Sequence, residues 1–252
     1  MVRTLLVRGL LLGLLAGLLA GAFAFAIGEP RIDDAIALEE AAAAAEPAPA
    51  DDGHSHEHGA NVTRGQQKFG LFLATGLYGL TIGGIFALAF AGLRGRVGPR
   101  TDGGLALAAA GTAFAAVILV PFLKYPANPP AVGDPETITS RTLLYLAMIG
   151  VGLLATAIAV TTSRRVPGGA WPRGAAAVAA FVVPVAVAYL LLPTVNEVPA
   201  EFPATLLWQF RISSLGTQAV FWAAFGALFG WAADRAARPA SAPAPAAAPA
   251  SA

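Results

Sequence analysis

The alternation of apolar and polar stretches divides the chain into six apolar runs with polar connections between them. The runs are Gly9–Ile27, Gly70–Leu93, Leu105–Leu123, Thr142–Ser163, Gly174–Leu192 and Ile212–Ala233. An α-helix needs about 20 apolar residues to cross the hydrocarbon core of a bilayer, and each run reaches that length. The pattern predicts an all-α membrane protein with six transmembrane helices. Gly9, Gly13, Gly17 and Gly21 recur every four residues in the first run, and Gly76, Gly79, Gly83 and Gly84 mark the second. Small residues at such spacing let helix backbones approach closely in lipid, so Gly-rich packing is expected. Pro121 should break the third run near its end, and Pro184 lies in the middle of the fifth.

Four regions follow from this pattern. Residues 1–28 form the first transmembrane helix. Its basic start and the Ala22-Phe23-Ala24 sequence resemble a signal peptide with a cleavage site, but the run exceeds the roughly 7–15 apolar residues of a signal core, so a retained signal-anchor is expected. Residues 29–69 are an acidic outer loop, in which 33–45 has the composition of a short surface helix. Residues 70–238 form a five-helix bundle with two Pro/Asn loops. Residues 239–252 contain only Pro, Ala and Ser and read as a disordered tail.

Composition narrows the class. The chain is 56% hydrophobic and 12% charged, and ordinary soluble domains carry about 25% charged residues. So little polar surface excludes a soluble globule. The absence of cysteine excludes disulfides, thiolate metal sites and cysteine nucleophiles. No Gly-Lys pair occurs, which excludes a phosphate-binding P-loop. No nucleophile–base pair is visible either, because every histidine sits in the acidic loop. The reading is of a non-enzyme with no cofactor and no nucleic-acid partner.

Charge orients the six spans. With the N-terminus in the cytoplasm, the inner segments hold Arg3, Arg8, Arg94, Arg96, Arg100, Arg164, Arg165, Arg173, Arg235 and Arg238, against only Asp102 and Asp234. The positive-inside rule then predicts an N-in, C-in membrane protein with the acidic loop on the outer face.

Three features carry candidate chemistry. The tract Asp51–Gly59, DDGHSHEHG, holds all three histidines of the chain. In extended chain His54, His56 and His58 project to one side, with Asp51, Asp52 and Glu57 available to complete a shell. Imidazole and carboxylate together suit a borderline divalent cation such as Co²⁺, Ni²⁺ or Zn²⁺, and the spacing does not choose among them. The second feature is a repeated loop pattern. Pro126, Asn128, Pro129 and Pro130 are followed by Asp134 and Arg141; Pro193, Asn196 and Pro199 by Glu201 and Arg211, with Glu197 between. Pro-interrupted segments in corresponding positions point to a transport site and to related hairpins, the third helix with the fourth and the fifth with the sixth. Freed carbonyls with Asn and Glu side chains would supply oxygen ligands to a cation. Rigid turn chemistry explains the same residues without a ligand, and Lys124 and Tyr125 also fit as interfacial anchors. The third feature is an absence: no run holds an Asp, Glu, Lys, Arg or His in its interior, and Gln218, one turn after Ser214, stands out as a pore-facing candidate.

The strings LVRGLLLGLLAGLLAGAFAFAIGEPRIDDAIALEE, FLKYPANPPAVGDPETI and LPTVNEVPAEFPATLLWQFRISSLGTQ resemble the CbtA family, predicted cobalt transporter subunits of bacteria. The resemblance spans nearly the whole chain. It implies an integral membrane subunit working with a small one-helix partner, CbtB, that carries a His-bearing segment. It groups Lys124, Tyr125, Pro126, Asn128, Pro129, Pro130 and Asp134 in one motif, and Asn196, Glu197, Pro199, Pro203, Trp208 and Arg211 in another. The combined expectation is a cobalt (or nickel) transport subunit, in the bilayer and open to self-association. Its acidic His loop collects the cation, and Asn128, Asp134, Asn196 and Glu197 receive it. A non-conducting accessory that captures or senses metal for another transporter is the alternative.

Overall fold

The computed structural model describes residues 2–45, 63–130 and 132–238. The His tract with Asp51, Asp52 and Glu57 lies outside the described residues, as does the Ala/Pro tail from 239 on. Among the described residues the protein is all helix, without strands. The helices are α1 (Val2–Phe23), α2 (Glu29–Ala45), α3 (Arg64–Leu93), α4 (Asp102–Ala113), α5 (Val120–Lys124), α6 (Ile138–Arg165), α7 (Ala170–Leu191) and α8 (Ala204–Ala237). Two π-helical segments, Ala24–Gly28 and Phe114–Leu119, join α1 to α2 and α4 to α5 without a break. Six helical stretches are therefore long and apolar enough to cross a membrane, as the hydrophobic pattern predicts.

Two boundaries differ from the apolar pattern. Helix does not stop where the first run ends at Ile27; it turns through the π segment and continues along the acidic sequence to Ala45. The extension is held by charge. Arg64, at the start of α3, binds Glu29 at 2.8 Å and Asp33 at 2.5 Å, and Lys68 reaches Asp33 at 3.3 Å. Glu29 is buried, and a buried carboxylate needs such a partner. Thr63 and Gln66 close a capping box that starts α3 ahead of its apolar run.

Pro121 does not break the third span. Upstream of it the helix widens, and Val120 donates to the Ala115 carbonyl five residues back. Since Pro121 has no N–H, the Ala116 carbonyl loses both donors the ladder would offer it. That carbonyl is the point at which α6 approaches: a Cβ on Gly152 would run into it. Proline, π segment and glycine together form one joint between the third and fourth spans.

The core is made by α1, α3, α4 and α8. Gly9, Gly13 and Gly17 of α1 face Gly83, Gly79 and Thr75 of α3 in antiparallel register, so close that a Cβ on any of those glycines would collide with a facing carbonyl. Phe225 and Phe229 of α8 pack against Phe86 and Phe90 of α3, with Phe86 and Phe225 edge-to-face at 4.9 Å, and Phe221 packs against Tyr78. α4 packs on α8 through Leu105, Ala106 and Ala110. By contrast α7 buries no residue and lies on α6 alone, apart from its loop end. α7 and α8 are consecutive but do not pack together, so the expected second hairpin is not formed.

Charged groups gather at the end of the bundle opposite the Pro/Asn loops. Arg94 grips Asp102 with two nitrogens, Asp234 caps α4 by accepting from the Gly103 amide at 2.7 Å, and Arg164 donates to the Arg96 carbonyl. The two acids of the arginine-rich segments thus tie helix ends together.

Candidate functional site

Each Pro/Asn loop is shaped by its own backbone chemistry before the two meet. Pro126, Pro129 and Pro130 prevent α5 from continuing past Lys124. The Val132 amide closes a turn onto Pro129, and Gly133 takes a φ of 120° that a side chain would strain. Asp134 then caps a short 3₁₀ turn, its carboxylate accepting from the Glu136 amide at 2.9 Å, and α6 begins. In the second loop Phe202 closes a turn onto Pro199, and Pro203 leads into α8.

The loops are joined side chain to backbone. Tyr125 donates its hydroxyl to the Pro193 carbonyl at 2.8 Å, and Lys124 donates to the Tyr189 carbonyl at 2.9 Å. The Tyr189 hydroxyl returns to the Val120 carbonyl. Glu197 is the centre of the junction. One carboxylate oxygen accepts from Thr137 at 2.6 Å; the other accepts from the Asp134 amide at 2.9 Å and pairs with Arg141 at 3.3 Å. These partners, Thr137 foremost and then the Asp134 amide and Arg141, hold the Glu197 carboxyl below its ordinary value of 4.5. Arg211, near the start of α8, donates to Asn128 Oδ1 at 2.8 Å and to the Ala127 carbonyl at 3.2 Å.

The junction encloses a cavity of about 530 Å³ between both loops, α6 and α8. Tyr125, Asn128, Asn196, Glu197 and Arg211 line it, so five of the residues singled out by sequence converge on one space. Lys124 and Asp134 stand behind the wall as ties. Gln218 is elsewhere: it accepts from Tyr78 at 3.2 Å beside a separate cavity of about 210 Å³ between α1, α3 and α8. Arg141, Thr142 and Tyr145 of α6 also line the main cavity, and of these Thr142 and Tyr145 carried no sequence signal beyond being polar. Arg141 had one faint sign, its place after the first motif as Arg211 follows the second.

Several of the oxygens named as cation ligands are already engaged. Both oxygens of Glu197 and the side-chain oxygen of Asn128 accept hydrogen bonds from protein donors. Among the described residues no group of three or more His, Asp or Glu side chains is placed to hold a metal.

Six bilayer-length helices with a loop-lined cavity at one end of the bundle define a polytopic helical membrane protein. The chain matches the family CbtA, probable cobalt transporter subunit, over residues 2–234. It belongs to that family, and is accordingly a membrane subunit of a cobalt transporter class. No curated protein and no solved structure matches it.

Proposed function

We propose that this chain is the membrane-embedded subunit through which cobalt, or secondarily nickel, is moved, and that the cavity beneath the Pro/Asn loops is its outer vestibule. The observation that carries this reading is the convergence of both loop motifs on one 530 Å³ cavity. Turn chemistry alone would shape each loop but gives no reason for Tyr125, Glu197 and Arg211 to bridge them. The seam between the α6–α7 pair and the core runs through this cavity, so a shift of that pair would open or close it.

The charge bias of the loops supports an N-in, C-in arrangement in a bacterial plasma membrane, with the cavity outside. In this arrangement the tract with His54, His56, His58, Asp51, Asp52 and Glu57 is a collector that raises the local metal concentration. A small one-helix CbtB-like subunit is the expected partner. The lack of Asp, Glu, Lys, Arg or His within the apolar runs favours a second reading, a non-conducting subunit that hands metal to another transporter.

Liposome uptake separates the two. The protein, reconstituted with and without its partner, should accumulate radioactive cobalt under an imposed potential. Uptake no greater than in empty liposomes would defeat the conducting reading. Replacing His54, His56 and His58 with alanine should depress uptake at low metal and leave it intact at saturation. A loss at saturation instead would place the tract in the conduction path.

A further inference from the structure

The cavity is lined by two guanidinium groups, Arg141 and Arg211, and by one carboxylate, Glu197. Both oxygens of that carboxylate are taken by Thr137, the Asp134 amide and Arg141. The Asp134 carboxylate faces its own helix turn through the Glu136 amide and is exposed, where solvent and salt screen it. Beside the Asn196 carboxamide, what is left over is donor capacity. A guanidinium carries five N–H donors and no acceptor. Arg211 uses Nε and one Nη on Ala127 and Asn128; Arg141 uses one hydrogen of each Nη on Glu197 and the Asp134 carbonyl, and its Nε is buried without a hydrogen-bond partner among the described residues. Gly133 leaves the Arg141 guanidinium its place, since a Cβ there would meet Nη1 at 2.5 Å. Phe122, Val132, Ile138 and Leu146 supply apolar wall, which strengthens attraction between the guanidiniums and an opposite charge.

We propose that this cavity is an oxyanion site, in which Arg141 and Arg211 hold a carboxylate or phosphate group. Resting on the transport reading, the corresponding substrate is a divalent metal delivered as an anionic carboxylate chelate. Size agrees: six waters at about 30 Å³ each fill about 180 Å³, well under the 530 Å³ of the cavity, so a hydrated ion alone leaves most of it empty. The same chemistry would hold a lipid phosphate, and the experiment distinguishes the sources.

Purified, delipidated protein in a chloride buffer free of oxyanions is titrated calorimetrically with citrate, cobalt citrate and cobalt chloride, and native mass spectrometry follows added phosphatidylglycerol. Citrate and cobalt citrate should bind in competition. Arg141→Gln and Arg211→Gln should each weaken binding by about ten-fold or more, the scale of a lost charge-assisted pair, and Arg211→Lys should restore part of it. Glu197→Gln gives a test of sign: oxyanion affinity is retained or rises, whereas a cation site would lose affinity. Thermal unfolding identifies any variant that fails to fold, and the wild-type titrations with Glu197→Gln then decide. Retained phosphatidylglycerol that depends on both arginines, without citrate binding, supports the oxyanion site and overturns the chelate. Binding of cobalt chloride alone, unaffected by the arginines, overturns both. In liposomes, uptake of free cobalt without chelate binding leaves the transport reading standing and removes this one. Chelate binding without any uptake does the reverse.

Discussion

The α1–α3 pair and the α6–α7 pair are built from equally apolar sequence, yet one is interlocked and the other leans. α1 and α3 present glycine to glycine, so backbone meets backbone over several turns. α7 presents Ala, Val and Leu and buries none of them. Lipid provides no hydrophobic drive for helices to associate, so close van der Waals packing must do it, and that requires small residues on both partners. The α6–α7 pair has one such contact with the core, Gly152 on the Ala116 carbonyl. It is otherwise joined through Met148 and Ala155 on the same buried face of α6, polar ties at the loop end and the Arg164 donation to the Arg96 carbonyl at the other end. The cavity lies where the rigid and the loosely held parts meet, which is where a protein can change shape at low cost.

Substitutions that add bulk to the first pair should have the largest effect. Gly13→Leu or Gly79→Leu places a side chain where the facing carbonyl lies; overpacking typically costs about 1–3 kcal/mol, and here backbone rather than a flexible side chain must yield. The expected result is loss of the monodisperse peak in size exclusion and a collapsed thermal midpoint. A variant that elutes and melts like the parent would show the glycine interface to be dispensable.

Gly152→Leu should be milder and local. It would separate α6–α7 from the core and leave α1, α3, α4 and α8 packed, at a cost of about 1–3 kcal/mol. Hydrogen exchange should rise in α6, α7 and the two loops, and remain slow in α1 and α3. Uniform acceleration across all helices would erase the distinction between the two parts.

Acid should loosen the same seam from its polar side. Because the folded Glu197 carboxyl titrates below its ordinary value, its contribution is present above the ordinary carboxylate range. It is lost as pH falls through the lowered folded value. A difference infrared titration of wild type against Glu197→Gln should show the carboxylate band surviving below 4.5, and a transition above that value would contradict the tie. The smallest effect is expected from Tyr189→Phe, which removes one hydrogen bond to the Val120 carbonyl. A thermal shift equivalent to about 0.5–1.5 kcal/mol is the expected size, and no change would mean that Lys124 and Tyr125 hold the seam unaided.

Much of this could be read along the chain. Apolar length is a one-dimensional property, so six spans and their glycine grooves were visible, as were both Pro/Asn motifs. A helix over 33–45 was legible from composition, but its continuity with the first span through Gly28 was not, because it depends on Arg64 and Lys68, which arrive from beyond position 60 to pair with Glu29 and Asp33. Pro121 looked like a helix end, and is tolerated because the π segment shifts the ladder around its missing N–H and Gly152 of another helix leaves room at the Ala116 carbonyl. Asn128 and Glu197 read as cation ligands because sequence shows their oxygens and not the donors, Arg211, Thr137 and Arg141, that occupy them.

Sequence by itself determined the solvent of each segment, since hydropathy and charge act residue by residue on transfer into lipid. It determined also which helix could be approached closely, because only the absence of a Cβ permits it. Tertiary structure alone decided that two motifs about 70 residues apart share one cavity and that this cavity is rich in donors. Both are sums over groups from several helices, and a sum of charges depends on where the groups stand, which no single stretch of chain contains.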